Sequence, residues 1–220
     1  MADAILCYIY NQRFIMKINI IKSINIQLPE RDILFRLKYN VHKTVIDSDT
    51  LARIRGIMLR GFHVCQPQGV WGRLDIIDIK EESVVFETGV EINSASIARL
   101  LSSCHAAAFM SATVGSAIVK MASEAISSGD GGSGVIFDAV GSETVEAAIE
   151  WLNVYIGSTI KKNGEVLTAS RFSPGYGDFK LEYQGLFYEM LQLENMGVAL
   201  TESFIFVPEK TVTAIVGIRG

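Results

Sequence analysis

The chain has 220 residues and a formal net charge of −4 at pH 7, and 49% of its residues are hydrophobic. This length supports one sizeable core, and the apolar content excludes an intrinsically disordered chain. The acidic balance, without a clustered basic surface, argues against a nucleic-acid partner.

The cysteine and histidine content favours a reducing, cytoplasmic setting over a disulfide framework or a metal site. The three cysteines, Cys7, Cys65 and Cys104, are widely spaced and odd in number. No cysteine and histidine pair has the spacing of a structural zinc site. We therefore interpret His63 and Cys65 as residues at a helix end.

The apolar N-terminal segment 1–15 predicts neither a signal peptide nor a membrane span. It lacks a basic start and a small-residue cleavage site, and it is too short to cross a bilayer. Both Met1 and Met16 are plausible first residues. We assign residues 1–34 to an N-terminal extension with the first strand, and residues 35–220 to a single domain.

Short apolar runs between turn residues predict the strands, and apolar residues at helical spacing predict the helices. The predicted strands cover 17–28, 71–79, 83–92, 105–112, 201–207 and 211–218, the first being a strand or a hairpin. The predicted helices cover 30–37, 48–59, 95–102, 113–127, 135–156 and 178–196, with Asp47 or Ser48, Ser94 or Ser96, and Asp178 as N-caps. Strands and helices come in pairs, which predicts an α+β fold with a mainly antiparallel twisted sheet packed with helices.

Two further segments have two interpretations each. The glycine-rich segment 127–134 lacks the ending of a phosphate-binding loop and follows a helix, so we favour a helix-to-helix loop. The helix at 135–156 carries Glu143, Glu146 and Glu150 on one side, which ordinarily marks a solvated face.

The segment RFSPGYGDFKLEYQ, at 171–184, carries the strongest chemical signal. It combines a cation, a Pro-Gly turn and an aromatic hydroxyl, and the glycines on both sides of Tyr176 let the backbone approach a ligand closely. A plain turn before a helix is the alternative. Asp178 and Glu182 fit either ligand contacts or the cap and first-turn acid of that helix.

Three segments together resemble the activation domain of cobalamin-dependent methionine synthase. They are RFSPGYG at 171–177, LTESF at 200–204 and VPEKTVTAIVGI at 207–218. The family carries an Arg-x-x-x-Gly-Tyr-Pro signature for S-adenosylmethionine, then a helix, a Leu-Thr-Glu-Ser strand and a Pro-x-x-(Ser/Thr)-Val-(Ser/Thr) strand. The second half of the chain matches by motif, and the first half matches only in its order of elements.

The chain departs from the family pattern at three places. Gly177 replaces the proline of the signature, and Val216 and Gly217 stand where the large enzyme has an aromatic pair. No acidic residue near the N-terminus matches the one that the large enzyme uses for its ligand. The resemblance therefore implies a reduced ligand site.

The resemblance implies a free-standing activation subunit, since the chain has no room for the other modules of the large enzyme. The implied ligand is S-adenosylmethionine, and the implied partner is a methionine synthase subunit that carries cobalamin. An electron donor, flavodoxin or another, would reduce cob(II)alamin, and the methyl group of S-adenosylmethionine would trap cob(I)alamin. Such a subunit is one component of a methyltransferase system, not a complete enzyme.

The same resemblance implies the site residues. Arg171 would pair with the methionyl carboxylate, because its planar fork suits a carboxylate. Backbone groups from Ser173 through Gly175 to Tyr176 would line the adenosine and the sulfonium, with the Tyr176 ring beside the positive sulfur. Glu146 would bind the amino group, against the alternative of a solvated helix face.

Two other functions remain open at this stage. One is a docking or chaperone module for a corrinoid protein that no longer binds S-adenosylmethionine, which Val216 and Gly217 favour. The other is an independent methyltransferase, for which no acceptor motif or candidate base is evident.

Overall fold

The computed structural model describes residues 16–39 and 47–220 of the chain. The predictions that concern Cys7 and the segment 1–15 fall outside the described residues.

The strands of the described part pair antiparallel throughout. They are β1 (Ile18–Ile21), β2 (Gln68–Ile79), β3 (Ser83–Phe86), β4 (Glu91–Asn93), β5 (Ala106–Thr113), β6 (Val166–Phe172), β7 (Ala199–Leu200), β8 (Phe206–Val207) and β9 (Thr211–Arg219). The main sheet has the order β4-β3-β2-β5-β9-β6, with β1 paired to β2, and β7 pairs with β8 separately. Strand β6 therefore lies at one edge of the main sheet.

Helices cover both faces of this sheet in the described part of the chain. They are α1 (Glu30–Arg36), α2 (Ser48–Val64), α3 (Ala95–Leu101), α4 (Ala117–Ser127), α5 (Gly131–Ile160) and α6 (Tyr183–Met190). Short 3₁₀ turns follow α5 and α6, at Lys161–Asn163 and Leu193–Met196. The prediction of an α+β fold with an antiparallel sheet packed with helices is confirmed.

Two of the predicted helix caps are present. The Asp47 carboxylate accepts a hydrogen bond from the Thr50 backbone N–H at 2.9 Å, and the Ser94 hydroxyl accepts one from Ile97 at 3.2 Å. Each bond satisfies a backbone donor that has no partner within its helix. Helix α2 runs to Val64, so His63 lies in its last turn and Cys65 at its C-cap, as predicted.

The core is divided by the sheet into two layers. On one face the apolar side of α5, including Leu152, packs on Met110 and Val216. On the other face the Phe109 ring lies 5.3 Å, centroid to centroid, from the rings of Phe86 and Phe187. A third cluster joins α1, α2 and α4 to the first half of α5.

The glycine-rich segment 127–134 is not a loop throughout, which corrects the sequence prediction. Helix α5 already begins at Gly131, and the Asp130 carboxylate caps it by accepting from the Ser133 N–H at 3.0 Å. A Cβ at Gly134 would lie 2.5 Å from Ile126 Cγ1. The glycine there allows close packing of α4 against α5.

Several predicted strands and helices are shorter in the structure, among them the helix predicted over 113–127, which begins at Ala117 because β5 extends to Thr113. The predicted strand 83–92 is divided into β3 and β4, and 201–207 is reduced to β8 after a turn in which the Thr201 N–H donates to the Ile205 carbonyl at 2.9 Å. The predicted strand 17–28 is reduced to β1. The helix predicted from Asp178 begins at Tyr183 and ends at Met190.

Candidate functional site

Arg171 lies on strand β6, which was not among the strands predicted from the sequence. Arg171 is opposite Val216 of β9, and Phe172 is opposite Ile215. Because successive strand residues point to opposite faces, Arg171 faces α5 while Phe172 packs on the other face, 6.5 Å from the Phe179 ring. The register of β6 with β9 shifts between Leu167 and Arg171, so a bulge precedes the arginine.

The Arg171 guanidinium binds carboxylates of α5 through both terminal nitrogens. Nη1 pairs with Glu150 Oε2, and Nη2 lies 3.5 Å from Glu146 Oε2. The side chain of Arg171 is 27% exposed, while those of Glu146 and Glu150 are 48% and 56% exposed. The structure thus brings Arg171 and Glu146 together at an accessible position, and adds Glu150.

Glu150 is the member of this cluster that sequence reasoning did not select as a site residue. Residues at positions i and i+4 lie on the same side of a helix, so the spacing of Glu146 and Glu150 was an available signal. The solvated-face interpretation of the three glutamates is only partly right. Glu143 is also ion-paired, to Arg36 of α1, and its side chain is 16% exposed.

The segment after β6 is a tight turn. The Gly175 N–H donates to the Phe179 carbonyl at 2.7 Å, and the Phe179 N–H donates to the Tyr176 carbonyl at 3.0 Å. Gly175 has φ +95° and Gly177 has φ +55°, in the left-handed region that glycine tolerates best. The Tyr176 N–H lies 3.4 Å from the Ser173 carbonyl, which it contacts as donor.

This turn is anchored at both ends, while its tip is open to solvent. Pro174 and Phe179 are buried, and the Phe179 ring lies 5.0 Å from the Tyr183 ring. Tyr176 is 69% exposed. Among the described residues, no hydrogen bond joins the Tyr176 phenol to Arg171. The role of Ser173, Gly175 and Tyr176 as ligand contacts stays a prediction.

Asp178 caps a helix, but a different helix from the one predicted. Its Oδ2 accepts from the Ser96 backbone N–H, 3.2 Å away, at the start of α3. Hydrogen bonding by Ser96 outweighs burial, which acts in the opposite direction, and lowers the pKa of Asp178 to about 2. The N-cap of helix α6 is instead Glu182, whose side chain makes no cap bond. Asp178 therefore ties the turn to α3.

The position of Gly217 explains one departure from the family pattern. A Cβ at Gly217 would lie 2.4 Å from Cys104 Sγ and 2.8 Å from Thr168 Cγ2. Its neighbour Val216 is fully buried. An aromatic pair at 216 and 217 would therefore require β9 to move away from α3 and from the bulge of β6.

In residues 16–39 and 47–220, no group of three or more His, Cys, Asp or Glu side chains is arranged to hold a metal ion. None of the described helices combines the length and the apolar character needed to cross a membrane.

Comparison with solved structures identifies the class of fold. The chain aligns with the crystal structure of the MetH reactivation domain bound to AdoHcy at a TM-score of 0.67, over 92% of this chain and 78% of that chain. The two sequences are 14% identical, so the likeness shows the fold alone. No family model matches the chain, and no curated protein matches it. The chain has a MetH reactivation domain-like fold.

Proposed function

We propose that the chain is a free-standing reactivation subunit that binds S-adenosylmethionine and supports reductive methylation of cob(II)alamin on a cobalamin-dependent methionine synthase in trans. The fold supports this proposal, because the aligned reactivation domain was crystallised with AdoHcy. The observation that carries it is the contact of Arg171 with Glu146 on an accessible edge of the sheet.

An adjacent cation and carboxylate are complementary to the two charges of an amino acid. The planar Arg171 fork can accept the methionyl carboxylate in two parallel hydrogen bonds. Glu146, 3.5 Å from the guanidinium, can then accept from the ligand's ammonium group. Both ends of the zwitterion would be paired, which makes its transfer from water less costly.

The turn 173–178 would hold the remainder of the ligand. The buried Pro174 fixes the start of the turn, and the buried Phe179 with the bond from Ser96 to Asp178 fixes its end, so little backbone entropy would be lost on binding. The exposed Tyr176 ring is free to cover the adenosine or to lie against the positive sulfur.

Positioning is the main chemical task of such a site. Bound S-adenosylmethionine supplies an electrophilic methyl group, and its thioether leaves without needing a proton. Alignment of two reactants is worth on the order of several kcal/mol of the barrier. In this proposal the cobalamin belongs to the partner protein, and flavodoxin or another donor supplies the electron.

Calorimetry with S-adenosylmethionine tests the ligand part of the proposal. The wild-type chain should bind saturably, and Arg171→Ala should abolish saturable binding while the circular dichroism spectrum is unchanged. Arg36→Ala is the matched control, because Arg36 pairs with Glu143 on the same helix but lies away from the turn. Unchanged affinity in Arg171→Ala would remove that residue from the site.

The cobalamin part needs a separate measurement. A cobalamin-carrying methionine synthase without its own reactivation domain is mixed with the chain, S-adenosylmethionine and a reductant. The proposal predicts return of the methylcobalamin absorption spectrum, and loss of that return with Arg171→Ala. Methylation of a small molecule without the partner would instead indicate an independent methyltransferase.

A second candidate is a docking or chaperone module for a corrinoid protein that does not bind S-adenosylmethionine. The tight surroundings of Gly217 favour it, because they leave no room for the aromatic pair of the large enzyme. Binding of a corrinoid protein by a chain that gives no heat with S-adenosylmethionine would select this candidate.

A further inference from the structure

The role of Glu150 can be inferred from its contact with Arg171, and this inference rests on the proposed function. In the described structure both terminal nitrogens of Arg171 are engaged, one by Glu150 and one by Glu146. A ligand carboxylate that uses the same fork has to replace at least one of these carboxylates. Glu150 is the more exposed of the two and is one helical turn away from Glu146.

The charges of the cluster do not balance without a further cation. One guanidinium faces two carboxylates, so the cluster is net negative. An amino acid zwitterion adds one charge of each sign and leaves this imbalance unchanged. The sulfonium of S-adenosylmethionine is the additional positive charge, and the thioether of AdoHcy lacks it.

The spacing of the two glutamates also fits this ligand. Side chains at i and i+4 on a helix have Cβ atoms about 5–6 Å apart. The ammonium and the sulfonium of S-adenosylmethionine are separated by the α-carbon and a short methylene chain, a distance of the same order. One glutamate can therefore serve each positive group.

We propose that Glu150 exchanges partners when the ligand binds. In the empty protein it holds the Arg171 guanidinium, and in the complex it is the counter-charge of the sulfonium. Glu150 is then a specificity-determining residue, because it favours the sulfonium ligand over its thioether product. Its accessible side chain can reorient without disturbing the core, to which it does not belong.

The test is the ratio of the dissociation constants for AdoHcy and S-adenosylmethionine, measured by calorimetry in wild type, Glu150→Gln and Glu143→Gln. Glu150→Gln should weaken S-adenosylmethionine binding about two- to fivefold, the range for an accessible ion pair. It should not weaken AdoHcy binding, because AdoHcy has no sulfonium for Glu150 to pair with, and Arg171 no longer has to release Glu150 before it binds the ligand carboxylate. Glu143→Gln removes the same charge from the same helix and should leave the ratio unchanged.

A second measurement does not need the ligand. Phenylglyoxal modification of Arg171, followed by mass spectrometry, should be faster in Glu150→Gln than in wild type and in Glu143→Gln. Equal rates in all three proteins would overturn the contact between Glu150 and Arg171 in solution.

The outcomes separate this inference from the proposed function. Binding of both ligands with an unchanged ratio in Glu150→Gln overturns the inference and leaves the proposed function standing. A lack of binding to either ligand in every variant overturns both. A ratio that falls toward one in Glu150→Gln alone supports both.

Discussion

The Arg171 and Glu165 ion-pair groups connect the sheet to α5 and to the chain that follows it, and their carboxylates differ in exposure. The Arg171 group contains Glu146 and Glu150, whose side chains are about half exposed. In the Glu165 group, Oε1 of Glu165 lies 2.7 Å from Arg73 Nη1 and 2.9 Å from His105 Nε2, and the Glu165 side chain is only 11% exposed. We infer that the buried Glu165 carboxylate contributes to stability, whereas the half-exposed carboxylates of Glu146 and Glu150 are available for a ligand.

The largest effect that follows from this comparison is on stability. Glu165→Ala should lower the free energy of unfolding by about 2 kcal/mol, because it leaves the partly buried Arg73 guanidinium and the His105 ring without their shared carboxylate. Urea denaturation followed by circular dichroism measures this change. Asp75→Asn is the control, since Asp75 is the exposed partner of the same arginine. A loss no greater than that of the control would contradict the structural role.

A smaller effect is expected on the pH dependence of stability. Burial raises the pKa of Glu165, but hydrogen bonds from His105 and Arg73 outweigh it and hold this pKa below its ordinary value of 4.5. The unfolded state then binds the proton more readily, so the stabilisation is complete above pH 4.5 and is lost as the pH falls through the lowered pKa.

Glu165→Gln removes this titration and provides the measurement. The difference in unfolding free energy between wild type and Glu165→Gln should shrink as the pH is lowered from 7 to below 4. A difference that is constant over this range would show that the Glu165 carboxylate does not titrate as the structure implies.

Local signals in the sequence predicted much of the fold. The caps at Asp47 and Ser94 are hydrogen bonds between residues close in sequence. Strand β5 is a run of buried, mostly apolar residues, so it can be predicted without knowing which strands it pairs with. The start of α5 was mispredicted because glycine is a poor helix former in isolation. At Gly134 the close contact with Ile126, a tertiary constraint, outweighs that preference.

The candidate site was only partly predictable, because contacts between residues distant in sequence form much of it. The motif identified Arg171, but strand β6 was missed because it is an edge strand with a bulge and a mixed burial pattern. The pairing of Arg171 with Glu150 joins residues 21 positions apart in sequence, and only the packing of α5 on the sheet brings them together. Asp178 likewise caps α3, which lies 82 positions earlier.

The smallest effect on stability is expected for Arg171→Ala. Arg171→Ala should change the free energy of unfolding by less than about 1 kcal/mol, because its carboxylate partners are half exposed and water can solvate them after the arginine is removed. The same urea titration that is used for Glu165→Ala measures this change, with Arg36→Ala as the reference for another pair on α5. A loss as large as that of Glu165→Ala would mean that Arg171 holds β6 against α5. The loss of ligand binding in Arg171→Ala would then be a consequence of misfolding. The conservative variant Arg171→Lys, which keeps the charge without the planar fork, would then distinguish a structural role of Arg171 from a role in ligand binding.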